Sequence, residues 1–253
     1  MSGFSADHAG AEVCPSPNFN VRAGERPPSI IILHYTGMES GPGAQDWLCN
    51  PQAQVSSHYL VHEDGSIVQM VAESARAWHA GKSFWAGDTD INSASIGIEI
   101  VNPGHFLGYP DFPAPQIEAV VALCRGIIGR HGIRPERVLA HSDVALGRKI
   151  DPGEKFPWAT LAGQGVGHWV EPLDENLSGP AFKEGDRGLP VNAMQAMLAR
   201  YGYDCPVDGE FGASTALAVT AFQRHFRPAR VDGIADRSTL GTLHALLSRL
   251  LTS

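Results

Sequence analysis

At 253 residues the chain is long enough for one or two domains whose core needs no disulfide or cofactor merely to hold together. Hydrophobic residues make up 43% and charged residues 18%, the composition of a globular chain rather than a disordered one. A net charge of −8 argues against sequence-independent binding to DNA or RNA, and no apolar run approaches the roughly 20 residues of a membrane-spanning helix.

Met1 to Asn20 is polar and lacks the charged-then-apolar layout of a signal peptide. As written, the chain reads as cytoplasmic, with the periplasm or envelope as the alternative if a signal has been removed. Cys14 follows Ala11-Glu12-Val13 with no apolar stretch before it, so it is not a convincing lipid-attachment cysteine. Cys14, Cys49, Cys124 and Cys205 show no CxxC spacing and read as four free thiols, with Cys124 in the core.

Ser29 to Tyr35 is a short apolar run rich in β-branched residues, bounded by Pro28 and Gly37, and predicts a buried strand. Ser57 to His62 and Ser66 to Val71 flank Asp64-Gly65 and predict a hairpin, the Asp-Gly pair supplying the positive φ angles of a tight turn. Ser95-Ile-Gly-Ile-Glu-Ile-Val alternates with the period of a strand. Ile117, Val120, Val121, Cys124, Ile127 and Ile128 recur at helical spacing between Pro115 and Gly132, and Arg137 to His141 reads as a return strand. These elements give an α/β fold: a mixed central sheet flanked by helices.

Up to Pro180 there are 11 basic and 20 acidic residues, a net of −9; from Ala181 onward there are 8 and 7, a net of +1. The switch lies in a loop-like stretch, Glu171 to Pro190, rich in Pro, Gly, Asn and Ser. A boundary near residue 175 divides the chain into domains 1–175 and 176–253. No repeat of solenoid length is evident. The second domain reads as a small all-α three-helix bundle. One helix carries Val191, Met194, Met197 and Leu198 and closes at Tyr201-Gly202. A second runs from Thr215 to Phe226. A third is capped by Ser238. Asp208-Gly209 and Asp232-Gly233 form the loops.

His34 closes the first strand, His141 closes the return strand, and Asp151 lies ten residues later in a Lys-Ile-Asp-Pro-Gly loop. Two histidines and a carboxylate at strand ends suit zinc, with three protein ligands leaving a position for water. Each residue has an ordinary alternative: a lone histidine is more often surface or satisfied core, Glu99 on an alternating strand can face solvent, and Lys149 can be a solvated loop charge. His62, His105, His131, His225 and His244 are given no role.

Five blocks occur in order between about residues 29 and 160. They are Ile32-Leu-His-Tyr-Thr-Gly, Val55-Ser-Ser-His-Tyr-Leu-Val, Ala77-Trp-His-Ala-Gly, Ser95-Ile-Gly-Ile-Glu, and Ala140-His-Ser-Asp-Val-Ala through Arg148-Lys-Ile-Asp-Pro-Gly to Phe156-Pro-Trp. With them the sequence resembles the zinc-dependent N-acetylmuramoyl-L-alanine amidases of the AmiD and AmpD type, a family related to the peptidoglycan recognition proteins. Asp208-Gly-Glu-Phe-Gly and Ala218-Val-Thr-Ala-Phe-Gln resemble a peptidoglycan-binding domain, and Gln164-Gly-Val-Gly-His-Trp and Ala221-Phe-Gln-Arg-His-Phe-Arg-Pro resemble the AmiD subgroup.

The resemblance implies one zinc ion per chain, held by His34, His141 and Asp151, with Glu99 and Lys149 as the catalytic pair. It implies substrate contacts from Tyr35, His58, Tyr59, His79 and Asn92, the histidines alternatively packing against the metal site or hydrogen bonding to it. Trp78, Trp85 and Trp158 either stack on sugar or belong to the core. Arg76, Lys82 and Arg148 are candidates for a basic rim toward stem-peptide carboxylates. The implied substrate is peptidoglycan or its muropeptides, cleaved between the lactyl group of N-acetylmuramic acid and L-alanine. No nucleic acid or transmembrane segment is expected, and a monomer suffices. The alternative from another class is a module that binds muropeptides without cleaving them.

Overall fold

The computed structural model describes residues 4–251. In chain order the elements before the irregular stretch are β1 (Glu12–Val13), β2 (Phe19–Val21), β3 (Ile30–Tyr35), α1 (Gly41–Leu48), β4 (Tyr59–Val61), β5 (Ile67–Gln69), β6 (Ala75–Ala77), α2 (Ile91–Ala94), β7 (Ser95–Ile100), α3 (Ala114–His131), β8 (Val138–Ala140), α4 (His141–Val144) and α5 (Trp158–Gly163). Three longer helices follow: α6 (Leu189–Tyr201), α7 (Ala213–Phe226) and α8 (Arg237–Leu250). Six strands form one mixed sheet in the order β1-β5-β4-β7-β3-β8, in which only the β4–β5 pair is antiparallel. β2 and β6 make a separate antiparallel pair.

Ile30, Ile31, Ile32 and Leu33 are all buried, because the centre of the sheet is covered on both faces. Ile31 and Leu33 face α3, where they pack with Ile96, Ile98, Val120 and Ile127. Ile30 and Ile32 face the other way and join a core that includes Trp85, Leu139 and residues of all three C-terminal helices. The boundary expected near residue 175 falls in the irregular stretch 164–188, and the apolar core runs across it.

Two local expectations are corrected, and one helix is added. In the β4–β5 hairpin only Gly65 takes a positive φ, of 88°. Gly65 N–H donates to His62 O and His62 N–H to Ser66 O, so the loop has three residues and needs a single left-handed position. Asp64 contributes its side chain instead, accepting from Ser66 N–H at 2.9 Å. At the start of α8 the cap is Asp236, which accepts from Thr239 N–H at 2.8 Å, whereas Ser238 lies inside the helix and donates to Leu173 O. Helix α1, unassigned from apolar spacing, does carry a start signal: Ser40 accepts from Gly43 N–H, and a proline stands in the first turn.

The helical unit contains a short internal repetition. Buried Gln195 on α6 accepts from Gly209 N–H and donates to Asp208 Oδ1 and Thr215 Oγ1. Buried Gln223 on α7 accepts from Gly233 N–H and donates to Asp232 Oδ1 and Thr239 Oγ1. Each glutamine thereby ties an Asp-Gly loop to the next helix start, and its buried amide is satisfied. Cys14 and Cys49 are free thiols with Sγ atoms 3.5 Å apart; Cys124 and Cys205 are buried. Among the described residues no helix is long and apolar enough to cross a membrane.

Candidate active site and metal centre

Strand register assembles the site. On β3 and β7, His34 stands opposite Glu99, so both side chains leave the sheet on the same face. Leu33 stands opposite Ala140, the last residue of β8, and His141 follows as the first residue of α4. The chain then loops back so that Asp151 O accepts from Ser142 N–H at 3.1 Å, which carries the Asp151 side chain to the two histidines. His34 Nδ1, His141 Nδ1 and Asp151 Oδ2 lie 2.9, 3.0 and 2.9 Å from one another, all buried. These positions are the carboxyl ends of parallel strands, where open α/β sheets hold their ligands.

Proton accounting shows what this triangle needs. Ser95 Oγ donates its only proton to Ile91 O at 2.6 Å, since a carbonyl can only accept. Ser95 therefore accepts from His79 Nε2–H at 3.1 Å. Burial holds His79 well below the ordinary imidazole pKa, so it is neutral and its Nδ1 is an acceptor. That acceptor takes His34 Nε2–H at 3.0 Å and leaves His34 Nδ1 as a bare lone pair. Burial, then the facing His141, lower the His34 pKa to about 4, so this state holds at neutral pH. His141 Nε2–H donates to Ala80 O at 3.1 Å, so in neutral His141 the Nδ1 is likewise a lone pair. Asp151 Oδ2 stands between the two Nδ1 atoms and, as a carboxylate oxygen, can only accept. Two lone pairs and a carboxylate oxygen thus converge and call for a cation, as expected of a metal centre whose ligand histidines are fixed from behind.

Gly97 makes room for this arrangement. Ser95, Gly97 and Glu99 occupy the site face of β7, while Ile96, Ile98 and Ile100 occupy the core face. A Cβ on Gly97 would stand 2.5 Å from His79 Cγ, so only glycine lets the imidazole lie against the strand. Gly97→Ala is expected to displace His79 and weaken metal binding by roughly 10- to 100-fold. Chelator competition on the purified variant checks this; unchanged affinity would remove His79 from the support of His34.

A cavity of about 480 Å³ opens over the triangle, its lining including Glu99, Lys149, Trp47, Trp78 and Phe106. Glu99 Oε2 is buried and has no hydrogen-bond partner among the described residues. Burial, then the charge of Asp151, push Glu99 well above the usual carboxylate range, with Lys149 pulling it down. Lys149 is exposed, and its ammonium forms no salt bridge among the described residues. Phe106, 90% exposed, and Trp47, 48% exposed, stand on the walls. Neither was flagged in the sequence: Trp47 comes from α1, and Phe106 from a 3-10 turn at His105–Leu107.

The other expected contacts divide. Tyr35 lines the cavity, with its hydroxyl donating to His105 Nδ1 at 3.1 Å while His105 Nε2–H donates to Glu154 at 3.2 Å, which gives His105 a role. His79 both lines the cavity and supports His34. His58, Tyr59 and Asn92 are buried and engaged within the fold. His58 is fully buried, with Nδ1 accepting from Gly97 N–H at 3.0 Å; burial, then Arg22, lower its pKa to about 3. Tyr59 pairs in register with Ile98, so it points to the core face, where its hydroxyl donates to Glu73 at 2.7 Å. The Asn92 side-chain oxygen accepts from the N–H groups of His79 and Ala80, fixing the segment that carries His79. Trp78 lines the cavity, while Trp85 and Trp158 are core residues. Arg148 lines the cavity too and donates to Ala80 O, the carbonyl that orients His141; Arg76 is held by Asp90.

Residues 24–154 match the family described as N-acetylmuramoyl-L-alanine amidase, and residues 187–243 match a peptidoglycan binding domain. N-acetylmuramoyl-L-alanine amidase AmiD of Escherichia coli (strain K12) is 38% identical over 236 residues, covering 87% of this chain and 82% of that protein. The structure of E. coli AmiD in complex with the substrate anhydro-N-acetylmuramic acid-L-Ala-D-gamma-Glu-L-Lys aligns with a TM-score of 0.76 at 36% identity, covering 91% of this chain and 92% of that one. The 1,6-anhydro-N-acetylmuramyl-L-alanine amidase AmpD of the same organism is 33% identical over 167 residues, 59% of this chain and 89% of that protein.

Proposed function

The chain belongs to the N-acetylmuramoyl-L-alanine amidase family, and from that premise we propose zinc as its metal and a role for each group around the triangle. The reaction is hydrolysis of the amide between N-acetylmuramic acid, or its anhydro form, and L-alanine, in peptidoglycan or muropeptides. The observation that carries the reading is the convergence of two imidazole lone pairs and one carboxylate beside the unpartnered carboxyl of Glu99. This donor set suits zinc better than the all-oxygen preference of magnesium or calcium. Three protein ligands is also the number catalytic zinc sites use, and two neutral imidazoles with one carboxylate leave a net charge of +1.

When bound, zinc polarises the scissile carbonyl and lowers the pKa of water toward roughly 7. Glu99 takes the proton of the attacking water as general base and returns it to the leaving amino group of L-alanine as general acid. Burial and the Asp151 charge raise its pKa, which makes its carboxylate a stronger proton acceptor than an ordinary one. Lys149 brings an uncompensated ammonium to the same cavity, suited to the negative charge that develops on the carbonyl oxygen. Trp47, Trp78 and Phe106 offer apolar walls to the sugar and lactyl portions, and Arg148 faces the stem-peptide carboxylates.

The helical unit is read as a wall-binding module, supported by the family match of residues 187–243. Every group assigned to the reaction comes from one chain, so a monomer suffices. A muropeptide-binding module that does not cleave is the weaker alternative, because the full ligand and proton-transfer set is kept.

Digestion of sacculi and of isolated anhydro-muropeptides, read by mass spectrometry, tests the assignment. Zinc-loaded protein is expected to release stem peptides beginning at L-alanine, with activity lost on chelation and restored by zinc. The relative yields report whether intact wall or free fragments are preferred. No cleavage of either substrate by protein shown to hold zinc would favour the binding module.

A further inference from the structure

The turn that carries His141 is gripped from the side opposite the cavity by the helical unit. Asp143, two residues after His141 in α4, has no exposed side-chain surface. Its Oδ2 accepts from Ala140 N–H at 2.8 Å, closing the first turn of α4, and from His225 Nδ1–H on α7 at 2.6 Å. Its Oδ1 accepts from the Tyr203 hydroxyl at 2.7 Å, in the segment after α6. His225 is itself clamped, its ring stacked on Trp158 at 3.7 Å.

Two more contacts from α7 reach the same stretch of chain. Gly147, at φ +68°, lies so close to Leu217 that a Cβ there would meet Leu217 Cδ1 at 2.9 Å. Arg224 faces Glu154 at 3.6 Å, and Glu154 accepts from the histidine that holds the Tyr35 hydroxyl. One helix of the C-terminal unit therefore touches residues 143, 147 and 154, interleaved with His141, Lys149 and Asp151.

We infer that Asp143, His225 and Tyr203 are positioning residues, and that the helical unit is a fixed buttress setting the geometry of the metal-binding turn. The inference rests on His34, His141 and Asp151 being the zinc ligands. A buried carboxylate is tolerated only while its donors stay in place. Loss of the His225 donor leaves Asp143 underpaired, so the turn that begins with His141 relaxes toward whatever donors it can find. Core packing alone would predict a general loss of stability. A positioning node predicts a loss of zinc affinity that the overall stability change does not account for.

The test uses the full-length chain, with zinc affinity measured by chelator competition and Tm recorded in parallel. His225→Leu is expected to weaken zinc binding by roughly 10- to 100-fold. His225→Asn, whose amide can donate from near the Nδ1 position, is expected to recover affinity to within about threefold of wild type. Leu246→Ala, a cavity in the same helical core away from the node, is expected to lower Tm and leave zinc affinity unchanged. Should His225→Leu fail to fold, Tyr203→Phe removes a single donor and is expected to weaken zinc several-fold. Wild-type affinity in the folded node variants would overturn the inference, and so would equal weakening by Leu246→Ala. Absence of zinc binding by the wild-type protein would instead refute the ligand assignment itself.

Discussion

Glu99→Gln is expected to lower kcat by at least 10²- to 10⁴-fold while zinc stays at about one ion per chain and KM moves little. The substitution keeps the shape of the side chain and removes only its capacity to take and return a proton. Glu99 stands in register with His34, its Oε2 has no partner among the described residues, and burial with the Asp151 charge push its pKa upward. A carboxyl held in that state costs the fold something, and the amide should therefore be tolerated or slightly stabilising. The sign of the pH effect follows. The base must be ionised, so wild-type kcat/KM falls as pH drops through the Glu99 pKa, and that acid limb should vanish in the variant. Full turnover by Glu99→Gln would assign the proton transfer to another group.

How much of this was legible in the sequence depended on where the information sits. The apolar run of β3 and the alternation of β7 were readable because the β3 run is apolar on both faces, whereas β7 keeps isoleucines on the core face and Ser95, Gly97 and Glu99 on the site face. The triangle was legible in part: His34 and His141 stand at the ends of apolar strands, and the family resemblance joined them to Asp151 across more than 100 residues. Strand register was not readable. Tyr59 sits in the same sequence block as His58, yet its pairing with Ile98 turns it to the core, opposite the face that carries Glu99. His58 does lie on the site face but is sealed beneath His79 and the Gly97 backbone.

The histidines set aside in the sequence illustrate the same limit. His105, His131 and His225 each meet a carboxylate 49 to 82 residues away, at Glu154, Glu73 and Asp143. No local spacing encodes such pairs. Nor could a linker composition reveal that the core continues beneath it: the charge switch and the Pro/Gly stretch describe the surface of the 164–188 crossing, while Trp85, Tyr203 and Phe222 pack on its far side. The helical unit is thus separable by composition yet joined to the catalytic unit by packing.

Asp151→Asn carries the second large effect, because it separates the needs of the metal from the needs of the fold. The carboxylate supplies the only negative charge among the three ligands, and without it two neutral imidazoles would face a buried dication. Zinc content is expected to fall from about one to below about 0.1 per chain, with turnover lost in proportion. In the metal-free protein the outcome reverses. The asparagine amide can donate a proton toward the Nδ1 lone pairs of His34 and His141, where the carboxylate could only accept. The zinc-free variant should therefore melt no lower than zinc-free wild type. Zinc at a thousandfold its Kd adds roughly 4 kcal/mol to the folded state. At about 2–4 °C per kcal/mol for a chain near this size, wild-type Tm should rise by roughly 8–16 °C. Calorimetry with and without zinc reads both halves at once. Wild type should show the shift and Asp151→Asn should not, and a variant that kept the full shift would exclude Asp151 from the ligand set. A variant that lost it but melted far below zinc-free wild type would show that Asp151 holds the fold together through contacts other than the metal.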